Sequence, residues 1–201
     1  ITNVAVLEKG WIGGGNTGRN TAVSRSNYFY PESTRFYEHS LKRYETMGRD
    51  LNYNIMFSQK GVLNLAFSRH EMEIFRRWVN AIKIQGVDCE VMSREEIAYA
   101  VPLLNTSPKA RYRLYGGFMQ RRGGISRHDA VAWAYARAAD RMGIDIFQNC
   151  EVTDFDITNK SIRGVKTNIG NILTSKVGMA VAGHSSVLAA RAGVTLPIVS
   201  Q

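Results

Sequence analysis

The sequence predicts an α/β fold, α+β overall, in which two parts of the chain are interleaved. Three observations support this prediction. The chain begins with a strand-like apolar run, residues 4–7, that ends at Glu8 and leads into a glycine-rich loop. Amphipathic helices and short strands then alternate, and the end of the chain returns to strands before the turn Ala182-Gly183-His184. A strand at each end with mixed material between them is typical of two domains that exchange segments.

Composition argues against several classes of protein. With 201 residues, 44% of them hydrophobic, the chain could bury one substantial core or parts of two. No apolar run approaches the ~20 residues that cross a bilayer, and the start has no signal-peptide pattern, so we expect no membrane association. Cys89 and Cys150 lie far apart without C-x-x-C spacing. We therefore expect no disulfide framework, no metal site, and reduced thiols in a cytoplasmic protein.

The formal net charge of +9 predicts an anionic partner. The basic residues are spread in small clusters beside apolar residues and form no basic tail. This distribution disfavours nucleic-acid binding, although a non-catalytic basic binding module stays open as an alternative. Cofactor phosphates, a carboxylate substrate or an acidic partner subunit explain the excess charge equally well.

The first strand has the character of a nucleotide-binding strand. The second strand of a Rossmann unit carries an acid at its C-terminal end that binds an adenosine ribose, and Glu8 stands at such a position. The G-x-G-x-x-G turn that holds the pyrophosphate would lie about 20 residues upstream. We therefore expect an internal piece of a larger nucleotide-cofactor protein, incomplete at both ends.

Hydrophobic periodicity and breaker residues predict the elements in order. The predicted helices run from Pro31 to Gly48, from Ser68 to Lys83, from Ser93 to before Pro102, and from Asp129 to Gly143. The predicted strands are residues 4–8, two short strands within 56–66, then 87–91, 112–120, 144–147, 151–157, 162–167, 172–173, and a last one from residue 176 to the glycine turn.

Two helical stripes are predicted to face the core, and the order of elements predicts the domains. The first helix contributes Phe36, Tyr37, Leu41, Tyr44 and Met47, and the last contributes Val131, Trp133, Ala134, Ala138 and Met142. Residues 1–50 and 128–201 are predicted to form a Rossmann-like part. Residues 51–127 are predicted to form a mixed α+β part that faces substrate or a partner.

Four segments give the chain a resemblance to a known family over essentially its whole length. They are the run ending at Glu8-Lys9-Gly10, the loop 13–21, Asn149–Thr153, and the turn Ala182–Ser186. The sequence resembles flavin-dependent amine oxidases of the D-amino-acid oxidase superfamily. Within it, the chain is similar to beta subunits of heterotetrameric sarcosine oxidases through 25–28, 57–65 and 127–133. The resemblance implies a Rossmann-like FAD-binding domain interleaved with a mixed-sheet substrate domain.

The resemblance also implies where FAD binds. Glu8 would accept hydrogen bonds from the adenosine ribose, and the glycine loop would approach the pyrophosphate or flavin, with Arg19 or Arg25 offsetting anionic charge. Val152 would contact the adenine through its backbone. The residues that the resemblance assigns to FAD are Glu8, Asn16, Thr21, Val23, Val152, Ala182 and Gly183.

A second flavin is implied at His128. In the resembled subunits a histidine in an Arg/Lys-His-Asp context carries FMN covalently through the flavin 8α-methyl carbon. The imidazole must be neutral to attack, and a first-turn helix position and the neighbouring Arg127 both disfavour its positive charge. Arg121, Arg122 and Arg127 would suit the FMN phosphate or a subunit interface.

The implied activity is oxidative demethylation of sarcosine to glycine and formaldehyde. FAD would accept the hydride, and covalent FMN would pass electrons to oxygen. Other sarcosine oxidase subunits, including a folate-binding one, are the implied partners. Catalytic residues that bind the substrate are expected beyond Gln201, so none is assigned here.

Three alternatives stay open. A single-flavin relative, similar to dimethylglycine dehydrogenase or glycine oxidase, would need no nucleophile at His128. An NAD-dependent dehydrogenase would keep Glu8 but would not explain residues 149–152 or the late glycine turn. The basic binding module would bind no flavin.

Overall fold

Two compact units make up the chain in the computed structural model, which describes residues 2–198. Unit 1 contains the residues up to Asn20 and those from Tyr135 onward, and unit 2 contains Thr21–Ala134. The strands are β1 (Ala5–Leu7), β2 (Val23–Ser24), β3 (Val62–Ala66), β4 (Cys89–Ser93), β5 (Gly116–Gln120), β6 (Gly124–Ile125), β7 (Asp145–Phe147), β8 (Val152–Thr158), β9 (Ser161–Thr167) and β10 (Gly170–Leu173). The helices are α1 (Pro31–Asp50), α2 (Arg69–Lys83), α3 (Arg94–Ala100), α4 (His128–Arg141) and α5 (Ser185–Arg191).

Unit 1 is built on a parallel strand pair and a separate antiparallel meander. β1 pairs with β7 in the register Ala5↔Asp145. The pairing continues past the strands, because Glu8 N donates to Phe147 O at 2.9 Å and Cys150 N donates to Glu8 O at 2.9 Å. β8, β9 and β10 follow as an antiparallel sheet in that order. The backbone that carries Glu8 is therefore held on both sides of the acid.

The core of unit 2 lies between a three-stranded antiparallel sheet and α2. The strand order is β3-β5-β4, so β5 is central and all five of its residues are buried. One face of the sheet packs under α2, where a single cluster joins the buried residues Val79, Ile82, Val87, Cys89 and Phe118. This burial stabilises the unit, at roughly 25 cal/mol per Å² of apolar surface removed from water.

A second ladder in unit 2 joins distant segments. β2 pairs with β6, and Ser58 exchanges two backbone hydrogen bonds with Ile125 at 2.8 and 3.0 Å. Ser126 N donates to Ala22 O at 3.1 Å, which extends the contact toward α4. Gly124 is required here because a Cβ on it would overlap the carbonyl oxygen of Ser58.

Two helices begin where their capping residues predict. The Ser68 hydroxyl accepts the Glu71 backbone N–H at 3.1 Å at the start of α2. At α3, Ser93 and Glu96 form a capping box, with hydrogen bonds of 3.2 and 2.7 Å. Because a proline ring does not fit inside a helix, α3 ends at Ala100, before Pro102.

Most predicted elements are confirmed, and the differences have physical reasons. α1 continues past Gly48 to Asp50, because a glycine weakens a helix without ending it. The sheet segment predicted at 112–120 begins only at Gly116, where it meets its partners β3 and β4. The predicted strand from residue 176 is wrong within the described chain, since residues 176–181 form no ladder with a neighbour.

The two helical stripes are buried only in part. Leu41, Met47 and Ala134 are buried as predicted, whereas Phe36 is 69% exposed, Trp133 45% and Met142 78%. Periodicity identifies one side of a helix but does not say how much of that side a neighbour covers. The exposed members of both stripes are therefore corrections to the predicted core.

The compact units are defined by contacts within this chain, and they place α1 in unit 2. The division into parts 1–50 with 128–201 and 51–127 stays a prediction. Of the helices that the structure describes, none is long and apolar enough to span a membrane.

Replacing Gly124 by alanine should destabilise the protein. The new methyl group would collide with the Ser58 carbonyl, and overpacking of this kind costs about 1–3 kcal/mol. Gly178→Ala is the control, since a Cβ there meets no atom within 4 Å. Denaturant titrations of both variants provide the comparison, and equal midpoints would contradict the close approach of Ser58 and Gly124.

Candidate functional site

In unit 1, the C-terminal end of the parallel pair holds Glu8 in a fixed orientation. The Glu8 carboxylate accepts the Gly10 N–H through Oε1 at 2.8 Å. Asn149 N donates to Gly10 O at 2.7 Å, and Cys150 N donates to Glu8 O. The acid is half-buried, and its backbone is tied to residues 147–150. A carboxylate held this way can accept hydrogen bonds from a ligand at the strand end.

Val152 belongs to the same end of the parallel pair. It begins β8 two residues after Cys150, whose N–H is bonded to Glu8. Lys9 and Glu151 form an exposed ion pair of 2.8 Å beside it, and the hydrogen bond from Lys9 lowers the pKa of Glu151. The structure therefore brings Glu8 and the backbone preceding Val152 together.

The glycine-rich loop is shaped mainly by its own packing. A Cβ on Gly14 would lie 2.7 Å from the Trp11 ring, and one on Gly18 would lie 2.5 Å from Gly13 O. Asn16 is exposed and opens a 3-10 turn, Asn16–Arg19. Two of the glycines are thus required by contacts inside the loop, a reason that the sequence alone does not show.

Ala182 and Gly183 lie in the 3-10 turn Ala182–His184 that leads into α5. Both residues are exposed, and Ala182 adopts a positive φ of 46°. Nothing lies within 4 Å of the position of a Cβ on Gly183. The turn is confirmed as a sharp reversal with an open backbone surface.

In unit 2, the structure places Thr21 and Val23 beside the segment that leads to His128. Val23 pairs with Ile125, and Ala22 accepts the Ser126 N–H. Arg127 N donates to Ile55 O at 3.1 Å, and α4 then starts at His128. Residues more than 100 positions apart in the chain therefore form one surface region.

The His128 ring has an unusual environment. It is half-buried, and its Nδ1 atom is buried with no hydrogen-bond partner among the described residues. A buried N–H without an acceptor costs about 1–3 kcal/mol, so the tautomer that carries its proton on Nε2 is favoured.

The neighbouring arginines form ion pairs with acids of the same chain. Arg127 makes a two-pronged contact with Asp129, 3.1 and 2.8 Å, that lowers the pKa of Asp129. Arg127 is therefore paired with an acid directly beside His128. Arg121 pairs with Glu90, and Arg122 with Glu38 and Glu45. Arg121 and Arg122 are thus already paired with acids inside the chain.

A buried polar network escaped the sequence analysis. Ser26, Glu38 and Gln120 are buried, and they hydrogen-bond to one another across elements far apart in the chain. The sequence does contain a sign of this network. Glu38 precedes Leu41 by three positions, so it lies on the same buried side of α1. A polar residue at such a position indicates a partner inside the protein.

Neither cysteine has the environment of a nucleophile. Cys89 and Cys150 are both buried, and burial raises the pKa of the Cys89 thiol to about 12. Within residues 2–198, no group of three or more His, Cys, Asp or Glu side chains could hold a metal ion.

The fold combines three features: a parallel strand pair that ends in an acid, an antiparallel meander and a mixed α+β unit. Together they are typical of a nucleotide-cofactor enzyme. A family model described as FAD dependent oxidoreductase (DAO) matches residues 2–201. The chain belongs to this family of FAD dependent oxidoreductases.

Two curated relatives share about half of their aligned residues with this chain. The chain is 50% identical over 200 residues to sarcosine oxidase subunit beta from Arthrobacter sp, covering 100% of this chain and 49% of the relative. It is 49% identical over 200 residues to sarcosine oxidase subunit beta from Rhodobacter capsulatus, covering 100% of this chain and 48% of the relative. The chain thus spans about half the length of the curated relatives it matches.

Solved structures show the same fold. L-proline dehydrogenase from P. horikoshii is 28% identical with a TM-score of 0.87, covering 95% of this chain and 49% of that one. Glycine oxidase from Bacillus cereus, at 21% identity and a TM-score of 0.81 over 94% and 51% of the chains, agrees in fold.

The contribution of Glu45 to stability should depend on pH. Because the hydrogen bond from Arg122 lowers the pKa of Glu45 below its ordinary 4.5, ionised Glu45 stabilises the fold above that value. The stabilisation is lost as the pH falls through the lowered pKa of the folded state. Glu45→Gln should therefore be less stable than wild type at pH 7, and the difference should shrink in acid.

Denaturant unfolding at pH 7 and below 4 measures this difference. The control is Glu73→Gln, which removes a carboxylate from the exposed surface of α2. A Glu45→Gln deficit that stays constant with pH would show that the Glu45–Arg122 pair is not formed in solution.

Proposed function

We propose that this chain is the cofactor-binding portion of a sarcosine oxidase that uses FAD and covalent FMN. The structural observation that carries the proposal is the half-buried His128, whose Nδ1 lacks a partner among the described residues. The high identity of the chain to two sarcosine oxidase beta subunits supports the choice of substrate.

The reaction proposed for the whole protein is oxidative demethylation. A hydride leaves the N-methyl carbon of sarcosine, the resulting imine is hydrolysed to glycine and formaldehyde, and the two electrons reduce oxygen to hydrogen peroxide. FAD supplies the hydride acceptor, and FMN supplies the route of the electrons to oxygen. The described residues contribute binding and orientation of these groups.

In unit 1, we assign Glu8, Asn16, Val152, Ala182 and Gly183 to FAD. The Glu8 carboxylate, oriented by the Gly10 N–H, would accept hydrogen bonds from the ribose hydroxyls. The open backbone at Gly183 and the start of β8 at Val152 leave main-chain groups accessible to the dinucleotide. These features fit a dinucleotide, and Glu8 is the residue that we expect to contribute most to its affinity.

In unit 2, we assign Thr21 and Val23 to FAD and His128 to FMN. Val23 is exposed and its backbone is fixed by the pairing with Ile125. A covalent bond at Nε2 would replace the proton that this nitrogen carries, and the neutral product has no proton on Nδ1, so a partnerless Nδ1 is compatible with it. The residues present therefore fit an 8α-linked flavin.

The partners follow from the same proposal. Both relatives are named as beta subunits, which supports further subunits, and we include a folate-binding one that captures the one-carbon product. The basic excess of this chain fits acidic surfaces or anionic groups on such partners.

His128→Asn should abolish covalent FMN. The full-length protein, co-expressed with its partner subunits, is denatured and digested, and the peptide that contains residue 128 is weighed. We expect the wild-type peptide to be heavier by one FMN and the variant peptide to be unmodified. His39→Asn, an exposed change on α1, is the control and should keep the adduct. An unmodified wild-type peptide beside released FAD would instead identify a single-flavin relative.

Glu8→Ala should weaken FAD binding. Loss of charged hydrogen bonds worth about 1.5–3 kcal/mol predicts an affinity about 10- to 100-fold lower. Titration of the FAD-free full-length protein with FAD measures the change. The matched control is Glu151→Gln, which removes a carboxylate from the same end of the parallel pair. Equal affinities of Glu8→Ala and wild type would remove Glu8 from the FAD site.

A further inference from the structure

A closed set of buried and partly buried hydrogen bonds joins the two segments of unit 2 that we assign to the flavins. The first segment contains Thr21 and Val23 and ends at Ser26, and the second runs from Gln120 to His128. We infer that Glu38, on α1 between them, is a positioning residue that holds the two segments at a fixed separation. This inference rests on the proposed function, and Glu38 itself touches neither cofactor nor substrate.

The first segment is held in place by the hydrogen bonds of Ser26. Its backbone N–H donates to Gln120 Oε1 at 2.9 Å, and its hydroxyl donates to Glu38 Oε2 at 2.6 Å. The same hydroxyl accepts from Gln120 Nε2 at 2.6 Å. Ser26 and Gln120 are both 0% exposed, so water does not replace any of these bonds. Ser26 therefore has one position that satisfies all of its polar groups.

The second segment is held in place by the hydrogen bonds of Arg122. Its Nη1 donates to Glu38 Oε1 at 2.5 Å, and its backbone N–H donates to Asp88 Oδ2 at 2.6 Å. Gln120 Nε2 also reaches Asp88 Oδ1, at 3.3 Å. Arg122 lies in the turn between β5 and β6, and β6 leads to His128. Each oxygen of the Glu38 carboxylate thus holds one of the two segments.

Burial of the charge favours a geometric role for Glu38. The residue is 8% exposed, and a buried ion pair contributes little net stability because its desolvation offsets its attraction. What such a pair does provide is a single arrangement in which every polar atom is satisfied. The chain retains the charge at the point where the two flavin-facing segments meet.

The position of Arg25 depends on the same hydrogen bonds of Ser26. Arg25 directly precedes Ser26, donates to Asn27 Oδ1 at 2.7 Å, and lies 4.3 Å over the Tyr28 ring. Its guanidinium is therefore oriented by backbone that Ser26 anchors. A shift of Ser26 would move this cation as well as Val23.

Glu45 offers a matched control on the same helix. It also binds Arg122, through two hydrogen bonds of 2.8 Å, but contacts neither Ser26 nor Gln120 in the described hydrogen bonds. Glu45→Gln therefore weakens the hold on Arg122 while leaving the first segment in place. Glu38→Ala releases both segments.

The test uses the full-length holoenzyme with its partner subunits in three forms: wild type, Glu38→Ala and Glu45→Gln. Two quantities are measured, the yield of the His128–FMN adduct and the rate at which electrons pass from FAD to FMN in stopped flow. A misplacement of about 1 Å can cost 10²-fold in the rate of a bond-forming step, so Glu38→Ala should slow formation of the His128–FMN adduct by up to about that factor and lower its yield. The electron transfer rate should fall as well. Glu45→Gln should retain the wild-type adduct yield and rate.

Two results would overturn the inference. One is a Glu38→Ala enzyme with wild-type adduct yield and transfer rate, and the other is an equal loss in Glu45→Gln. If Glu38→Ala does not fold, the isosteric Glu38→Gln and Ser26→Ala replace it. A lower adduct yield and a slower electron transfer in these variants would then support the positioning role. Wild-type values of both quantities in both variants would overturn it.

Failure of the proposed function gives a different result. A wild-type enzyme without FMN on His128 contradicts the two-flavin proposal, and positioning is then measured on FAD alone. In that case Glu38→Ala should change the visible circular dichroism of bound FAD, while Glu45→Gln should not. An unchanged spectrum in Glu38→Ala would overturn the inference.

Discussion

The geometry of unit 2 depends on the burial of one carboxylate between two chain segments. Glu38 accepts from Ser26 and from Arg122, and its exclusion from water makes both contacts obligatory. The β2–β6 ladder and the required Gly124 bring the same segments together through the backbone. Backbone and side chains thus specify the same arrangement around Val23 and His128.

Unit 1 follows a simpler constraint, since one acid is oriented entirely by main-chain groups. The parallel pairing of β1 with β7 continues through Glu8, and the Gly10 N–H sets the direction of its carboxylate. The basic excess that first suggested an anionic ligand is partly used inside the chain. Arg121, Arg122 and Arg127 are all paired with acids of the same chain.

Local chemistry could be predicted from the sequence wherever neighbouring residues decide it. The starts of α2 and α3, the stop before Pro102 and the acid at the end of β1 all depend on residues close in the chain. The strand expected from residue 176 was wrong, because a strand needs a partner and periodicity does not supply one. Phe36 and Trp133 were misplaced for a similar reason, since a helical stripe does not reveal how far its neighbour extends.

The sequence by itself determined the α/β class and the family resemblance, and the resemblance named Glu8, Thr21, Val23 and His128 as candidate cofactor-binding residues. Only the tertiary structure decided that Val23 lies beside the segment leading to His128, that Nδ1 of His128 lacks a described partner, and that Arg122 belongs to Glu38 and Glu45. These are contacts between residues tens of positions apart. They arise from the packing of α1 and the sheets, and no local propensity encodes which distant polar groups will meet.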